Sequence, residues 1–155
     1  MNKRLKDYLD KHEIEYDCID HPPTITAEET AQSTHISGKQ FAKTVIVNVD
    51  GRMAMAVVHA PDYLDLDNLR RSVGAKNVRL ATEEEFKDAF PDCELGAMPP
   101  FGNLYGMEVF VERDLPTDEK IVFNAGTHSE ALAVSYGDFY KLVEPTTVHM
   151  TRGAF

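Results

Sequence analysis

Residues 43–60 read KTVIVNVDGRMAMAVVHA, two apolar runs separated by Asp50-Gly51. An Asp-Gly pair between two such runs is typical of a tight turn that joins antiparallel strands. Pro61 follows the second run, and it ends the strand because proline cannot donate a ladder hydrogen bond. The stretch therefore predicts a β-hairpin in the middle of the chain.

Helical and strand-like patterns interleave upstream of the hairpin. Apolar residues at helical spacing predict a first helix that ends near Glu13, and residues 16–20 predict a short strand. Thr26 and Glu29 have the spacing of a capping box, which predicts a second helix through residues 27–32.

Downstream, capping residues and apolar runs continue the same alternation. A helix capped by Asp67 is expected to end at Gly74, and the capping box of Thr82 and Glu85 predicts another. A last helix is expected at residues 137–143, capped by Gly137 or Asp138, and the strands are predicted at 77–81, 107–112, 120–126, 131–136 and in the tail. Strands and helices that interleave without strict βαβ alternation predict an α/β (mixed α+β) fold, in which helices pack around a mixed sheet.

The length and composition are those of one globular domain. The chain has 155 residues, of which 43% are hydrophobic and 27% charged, and we expect a single domain over residues 1–155. No apolar run approaches the roughly 20 residues that span a bilayer. The charged, amphipathic start does not resemble a secretory signal. We therefore expect a cytoplasmic protein without a membrane partner, and a monomer as the default.

The net charge of −10 disfavours DNA binding and broad, non-specific nucleic-acid binding, which need a basic surface. It leaves open a local contact with one RNA end. Two groups of basic residues are candidates for such a contact: Lys39, Lys43 and Arg52, and separately Arg70, Arg71, Lys76 and Arg79.

Motifs that would carry catalysis by themselves are absent from the sequence. It contains no GxSxG, HExxH or GxGxxG motif, and the SGKQ stretch at 37–40 lacks the other residues of a phosphate-binding loop. The six histidines do not have metal-ligand spacing, so we predict neither a metal nor a cofactor. Cys18 and Cys93 have no CxxC spacing; we expect Cys18 to be a buried strand residue and Cys93 a small apolar residue without thiolate character.

Lys43 is the first candidate functional residue. In a strand its side chain shares a face with Val45, Val47 and Val49, because side chains alternate with period two. A lysine aligned with an apolar row is uncommon, since a buried ammonium is costly unless it is paired. The alternative is that Lys43 begins the strand and extends its ammonium to solvent.

The stretch GAMPPFG at 96–102 is the second candidate. Pro99 and Pro100 stiffen the backbone, and Gly96 allows backbone angles that other residues avoid. The N–H groups of Gly96, Ala97 and Met98 would then form a preset donor surface for an anion or a carbonyl. The alternative is a rigid connector between a helix and a strand.

The stretch NAGTHSE at 124–130 is the third candidate. Gly126 ends a strand, and Thr127, His128 and Ser129 then present three polar side chains together. The alternative is an ordinary polar hairpin turn with Asn124 and Gly126 as turn formers.

Taken together, FAKTVIVNVDGRMAMAVV, LGAMPPFGNLYGMEVFVE and IVFNAGTHSEALAVSYGDF resemble the YbaK / prolyl-tRNA synthetase-associated editing domain family. The resemblance covers roughly residues 20–145. It implies a mixed, mostly antiparallel sheet that curves into a partial barrel with helices outside. It also implies trans-editing: hydrolysis of the ester of a mischarged aminoacyl-tRNA, with tRNA-Pro as the first expectation.

The resemblance assigns roles to particular residues. It implies that Lys43 is the functional lysine near the tRNA 3′ end, and that the family's GxxxP loop corresponds to Gly96, Ala97, Met98, Pro99 and Pro100. It places Gly126, Thr127 and His128 on the other side of the pocket. Alanine, cysteine, serine and threonine all suit a compact pocket, and prolyl-tRNA synthetase or an elongation factor would be a partner.

Two further functional classes stay open. The same fold could hold a tRNA end or a nucleotide without catalysis, together with a synthetase partner; tight tRNA binding without ester hydrolysis would identify it. A small-molecule hydrolase or transferase using His128 and Ser129 would instead turn over simple esters without tRNA.

Overall fold

The computed structural model describes residues 2–20, 41–115 and 120–152. The helices within these ranges are α1 (Lys3–Lys11), α2 (Leu66–Val73), α3 (Glu83–Phe86) and α4 (Tyr136–Val143), with short 3₁₀ turns at Lys87–Ala89 and Gly102–Leu104. The strands are β1 (Tyr16–Asp20), β2 (Ala42–Val49), β3 (Arg52–His59), β4 (Val78–Leu80), β5 (Glu108–Glu112), β6 (Lys120–Asn124), β7 (Glu130–Ser135) and β8 (Thr146–Val148).

The predicted hairpin is formed by β2 and β3, which pair antiparallel along their whole length. Asp50 and Gly51 both have positive φ, +50° and +89°, as a type I′ turn requires. The Asp50 carboxylate also accepts the N–H groups of Lys76 and Asn77, so that the turn is tied to the residues just before β4. The hairpin prediction is confirmed.

The strands form two hydrogen-bonded sheets that share one core. One sheet has the order β4-β2-β3-β5-β8 and is mixed, with β3–β5 and β5–β8 parallel; the other is antiparallel, in the order β1-β7-β6. A parallel bridge between Phe41 and Val122 connects the beginning of β2 to β6. The strands wrap part of the way around their common core without closing, which confirms the mixed α+β fold and the partial barrel.

The buried residues fall into three clusters. The main one lies between the sheets and includes Ile46, Val57, Phe101, Phe123 and Leu132. A second covers the other face of the five-stranded sheet, where Leu69 of α2 packs. The third lies on the outer face of the three-stranded sheet and contains Phe41, Ala60, Val122, Ala131 and Ala133.

Several local predictions need correction. Asp65, not Asp67, caps α2, since its side chain accepts the Asn68 N–H at 3.0 Å. Ser135 caps α4, which begins at the buried Tyr136.

Cys18 is exposed rather than buried, because β1 is an edge strand and is covered on one side only. The helix predicted at 27–32 lies outside the described residues. No helix among the residues described has both the length and the apolar character needed to cross a bilayer.

Candidate active site

The structure brings the second and third candidate segments into direct contact. We call residues 96–102 the double-proline loop and residues 125–129 the Gly126 turn. The N–H of Gly126 donates to the carbonyl of Ala97 at 2.9 Å, and the N–H of Glu94 donates to the carbonyl of Gly126 at 2.8 Å. The His128 Nε2 donates to the carbonyl of Leu95 at 2.6 Å. Two segments about 30 residues apart in sequence therefore form one hydrogen-bonded unit.

The backbone conformation requires glycine at two positions of this unit, Gly96 and Gly126. Gly96 and Gly126 have φ of +85° and +93°, in the region that L side chains avoid. A Cβ on Gly126 would lie 2.7 Å from the Asn2 Cβ, and a Cβ on Gly96 would lie 3.4 Å from His128 Cε1. The turn can therefore approach Asn2 only because Gly126 lacks a side chain, whereas Gly96 is required by its positive φ, since 3.4 Å is an ordinary contact distance.

The main-chain donors of the loop differ in part from the prediction. The N–H of Ala97 donates to the Glu94 carbonyl at 3.1 Å, and the N–H of Gly96 points at the Met98 sulfur at 3.2 Å. Within the described residues, the N–H groups of Met98 and Thr127 have no hydrogen-bond acceptor. The expected donor surface is thus reduced to Met98 on the loop, and Thr127 adds a second donor from the turn.

The side chains of the loop are not available to a ligand. Ala97 and Met98 are buried, and Met98 packs in the main core. Pro99 and Pro100 are also buried. The side chains of these four residues are therefore unavailable to a substrate.

Lys43 lies on β2 and is half-buried. Its strand alternates as predicted, because Val45 and Val47 belong to the second cluster while Ile46 faces the main core. The bridge between Phe41 and Val122 is isolated and parallel, so Lys43 and Asn124 each lie two residues beyond the bridged pair, on neighbouring segments that run in the same direction. Asn124 ends β6 and leads directly into the Gly126 turn. Lys43 therefore lies one strand away from that turn.

Asn124 was read from the sequence only as a turn former. Its residue is 7% exposed, and its Oδ1 is a buried atom that accepts no hydrogen bond from the described residues. A buried acceptor without a donor costs about 1–3 kcal/mol, so such atoms are rare and require an explanation. No local sequence signal distinguishes this asparagine from a turn residue.

Helix α1 and its N-cap residue Asn2 contact residues on both sides of the double-proline loop, an arrangement that the sequence analysis did not predict. Asn2 Nδ2 donates to the Asp92 carbonyl at 2.8 Å, and the Asn2 N–H donates to the Ala125 carbonyl at 2.9 Å. Arg4 forms an ion pair with Asp92 at 3.3 Å and donates to the Leu104 carbonyl at 3.1 Å. Residues before and after the loop are therefore fixed by the same helix.

The Cys93 sulfur and the Tyr105 phenol oxygen lie 3.3 Å apart, next to the contacts that Asn2 and Arg4 make with Asp92. Burial raises the pKa of Cys93 to about 11, and burial likewise raises the pKa of Tyr105. Burial alone would also raise the pKa of Asp92, but hydrogen bonds from Asn2 and Tyr105 and the Arg4 charge hold it below its usual value. Cys93 is a neutral thiol near pH 7, as predicted, and it is not a nucleophile.

A cavity of about 740 Å³ opens at the other end of the hairpin, lined by Val49, Arg52, Tyr105 and Glu108 among others. It lies at the far end of β2 from Lys43, so its size does not make it part of the candidate site. The described residues contain no group of three His, Cys, Asp or Glu side chains arranged to hold a metal ion.

Comparison with known proteins decides the family. The sequence profile of the aminoacyl-tRNA editing domain matches residues 21–142. The chain belongs to this family. The resemblance stated from the three motifs is therefore confirmed, and the family links the chain to tRNA editing.

Several relatives of the chain carry names that refer to prolyl-tRNA. The prolyl-tRNA editing protein ProX of Acetoanaerobium sticklandii is 26% identical over 142 residues, which cover 88% of this chain and 86% of that protein. Prolyl-tRNA synthetase associated domain-containing protein 1 of Danio rerio is 33% identical over 84 residues, 54% of this chain and 46% of that protein. The chain thus spans about half the length of the Danio rerio protein. It also matches the proline–tRNA ligase of Bacillus mycoides, at 24% identity over 59% of this chain and 16% of the ligase.

Solved structures show the same fold. A crystal structure of a hypothetical protein superposes with a TM-score of 0.85 at 19% identity, covering 96% of this chain and 99% of that one. A structure described as a candidate trans-editing enzyme for prolyl-tRNA synthetase has a TM-score of 0.83 at 22% identity, covering 98% and 97%. The editing-domain fold is therefore shared over nearly the whole length of these chains.

Proposed function

We propose that this editing domain is a trans-acting aminoacyl-tRNA deacylase that hydrolyses the ester of mischarged tRNA. The observation that carries the proposal is the hydrogen-bonded unit of the double-proline loop and the Gly126 turn, with Lys43 one strand away. By analogy with the ProX relative, tRNA-Pro is the proposed substrate. Alanine, cysteine, serine and threonine are the proposed amino acids.

The reaction needs positioning more than a strong nucleophile, because an aminoacyl ester is already activated. Water attacks the ester carbonyl, the bond to the ribose oxygen breaks, and that oxygen takes up a proton. The products are the free amino acid and the uncharged tRNA. We propose that the N–H groups of Met98 and Thr127 donate to the carbonyl oxygen as negative charge develops there.

Lys43 is proposed to bind a phosphate or ribose oxygen of the tRNA 3′ end. Its ammonium is a donor and a positive charge, and it offsets the negative charge of the substrate and of the transition state. Selection among amino acids would follow from pocket size. Since one methylene is worth only about 1–3 kcal/mol, we expect modest discrimination between small side chains.

The remaining expectations about the cellular setting join this proposal. We propose a cytoplasmic monomer that receives its substrate from prolyl-tRNA synthetase or an elongation factor. The single domain, residues 1–155, is the unit proposed to act.

The experiment presents the purified protein with a panel of mischarged tRNAs and measures release of the amino acid. We expect release from alanyl-, cysteinyl-, seryl- or threonyl-tRNA-Pro by the wild type. Lys43→Ala should lower kcat/KM by about 100-fold, the loss typical of one charge-stabilising donor. Lys141→Ala is the control, because Lys141 is an exposed lysine of α4, and it should retain full activity.

Two outcomes test the role of Lys43 and the deacylase reaction separately. Unchanged hydrolysis by a folded Lys43→Ala variant contradicts the role of the lysine. Tight binding of mischarged tRNA by the wild type without any release contradicts the deacylase and identifies a binding module instead.

A further inference from the structure

The two sides of the double-proline loop are held by different kinds of contact. On the N-terminal side the main chain is hydrogen-bonded to the Gly126 turn, where Glu94 donates to the Gly126 carbonyl at 2.8 Å. On the C-terminal side, the N–H groups of residues 104–107 that form hydrogen bonds in the described structure donate only to the carbonyls of Phe101 and Gly102. A hydrogen-bonded connection between the two sides therefore has to come from side chains.

The side chain of Tyr105 supplies this connection. Its phenol oxygen lies 3.3 Å from Asp92 Oδ1 and 3.3 Å from the Cys93 sulfur. Asp92 and Cys93 precede the loop, whereas Tyr105 follows it. One hydroxyl therefore joins the chain before residues 96–102 to the chain after them.

The protonation of these groups fixes the direction of the bonds. Burial acts to raise the pKa of Asp92, but hydrogen bonds and the Arg4 charge hold it below its usual value, so that the group is a carboxylate near pH 7. A carboxylate only accepts hydrogen bonds, and a phenol has a single proton. Tyr105 therefore donates to Asp92, and its oxygen is left to accept from the Cys93 thiol. A hydrogen bond to an ionised acceptor is roughly twice as strong as one between neutral groups.

Arg4 contacts both partners of the phenol–carboxylate bond. Its Nε lies 3.3 Å from Asp92 Oδ2, and its guanidinium carbon lies 4.9 Å from the centroid of the Tyr105 ring. It also donates to the Leu104 carbonyl at 3.1 Å. The guanidinium group therefore holds the carboxylate and the ring in the positions that the hydrogen bond needs.

We propose that Tyr105 is a positioning residue of the editing site, whose hydroxyl holds the two sides of the double-proline loop together and thereby fixes the Met98 N–H. The inference rests on the proposed deacylase function, in which this N–H donates to the ester carbonyl oxygen. Tyr105 acts through the loop and does not contact the substrate. A misplacement of about 1 Å can cost roughly 100-fold in rate. Since the Met98 donor acts on charge that develops in the transition state, its misplacement lowers kcat rather than raising KM.

Tyr105→Phe removes the hydroxyl and keeps the ring that packs on Phe90. On a mischarged tRNA that the wild type hydrolyses, we expect kcat to fall about tenfold while KM stays within about twofold. The thermal midpoint should fall by no more than about 4 °C, the shift expected for the loss of one hydrogen bond. An unchanged kcat, or an effect confined to KM, overturns the inference.

Tyr16→Phe is the matched control. Tyr16 is also half-buried, and its hydroxyl donates to a carboxylate oxygen of Asp10 at 3.1 Å. It pairs with Val134, at the end of β7 that lies away from the Gly126 turn. Its substitution should change the thermal midpoint by a similar amount and leave kcat unchanged. An equal fall of kcat in both variants would mean a general effect of lost stability and would contradict a specific role for Tyr105.

A double-mutant cycle tests whether the hydroxyl acts through Asp92. Residues that act as one unit have non-additive effects. Adding Tyr105→Phe to Asp92→Ala should therefore lower kcat by less than about threefold beyond Asp92→Ala alone. Fully additive losses would show that the hydroxyl acts independently of the carboxylate, and they would contradict the proposed connection.

Backbone ¹⁵N relaxation keeps the inference testable if the wild type releases no amino acid. Tyr105→Phe should lower the order parameter of the Met98 amide clearly below the value of about 0.85 that is typical of rigid backbone, and Tyr16→Phe should not. This pattern in a protein that hydrolyses no mischarged tRNA contradicts the deacylase alone. An unchanged order parameter of Met98 in Tyr105→Phe contradicts the role of Tyr105.

Discussion

At the scale of single residues, Gly126 combines a backbone requirement with a steric one. Gly126→Ala should lower the free energy of unfolding by about 1–2 kcal/mol for its positive φ alone. The new Cβ, 2.7 Å from the Asn2 Cβ, should add at least about 1 kcal/mol. Urea denaturation measures the sum.

Gly51→Ala is the matched control for that prediction. Gly51 has nearly the same φ, +89°, and nothing lies within 4 Å of the position that its Cβ would occupy. Gly51→Ala should therefore lower the free energy of unfolding only by the cost of placing alanine at a positive φ. Equal losses in the two variants would mean that α1 does not press against the Gly126 turn.

At the scale of elements, α1 positions the double-proline loop through its N-cap residue, Asn2. Asn2→Ala removes the cap that accepts the Leu5 N–H and also the donor to the Asp92 carbonyl. Losing the cap alone costs about 1 kcal/mol. We also expect faster hydrogen exchange of the Gly126 amide, because its bond to Ala97 depends on the loop staying in place.

Ser135→Ala separates the loss of a cap from the loss of the loop contact. Ser135 caps α4 by accepting the Asp138 N–H at 3.1 Å, so its removal should cost a similar amount of stability. Exchange of the Gly126 amide should not change locally in this variant. The same local increase in both variants would contradict a specific role for α1.

At the scale of the whole molecule, Glu112 of β5 links the segment 149–151, here called the tail, to the five-stranded sheet. Its side chain is fully buried and accepts hydrogen bonds from His149 Nδ1 at 2.8 Å, from the Met150 N–H at 2.8 Å and from the Thr151 hydroxyl at 3.2 Å. The Met150 carbonyl in turn accepts the N–H of Asp65, the cap of α2. One carboxylate therefore links β5, the tail and α2.

Glu112→Ala should lower the free energy of unfolding by about 3 kcal/mol, because two buried donors, the Met150 N–H and the Thr151 hydroxyl, and the partly exposed His149 lose their acceptor together. Glu108→Ala on the same strand is exposed and should change it by less than about 0.5 kcal/mol. Chemical denaturation of both variants measures the difference. Equal stability of the two would mean that the tail is held by other contacts.

Local signals predicted those elements in which neighbouring residues act on each other. The Asp50-Gly51 turn and the Thr82–Glu85 capping box involve residues at most three positions apart, and the structure has both. The same reasoning misplaced the caps of α2 and α4, because several capping residues stand close together at each helix start. Burial of Tyr136 puts the beginning of α4 at that residue, and burial is a tertiary property.

The candidate site was predicted in its parts but not in its assembly. Lys43, the double-proline loop and the Gly126 turn each carry an unusual local pattern, and the family resemblance grouped them. The roles assigned to these residues stay predictions until the variants are measured. Asn124 carried no such pattern, since an unpaired buried oxygen can be recognised only when its surroundings are known.

The sequence by itself determined the hairpin, the alternation of strands and helices, and the family, because these depend on neighbouring residues and on motif order. Only the tertiary structure decided that the N-cap of α1 is hydrogen-bonded to the segment before the double-proline loop, through contacts between residues about 90 positions apart. It also decided that Asn124 shares a face with Lys43. Such contacts follow from how the two sheets fold around one core, and no pattern within a short stretch of chain records that arrangement.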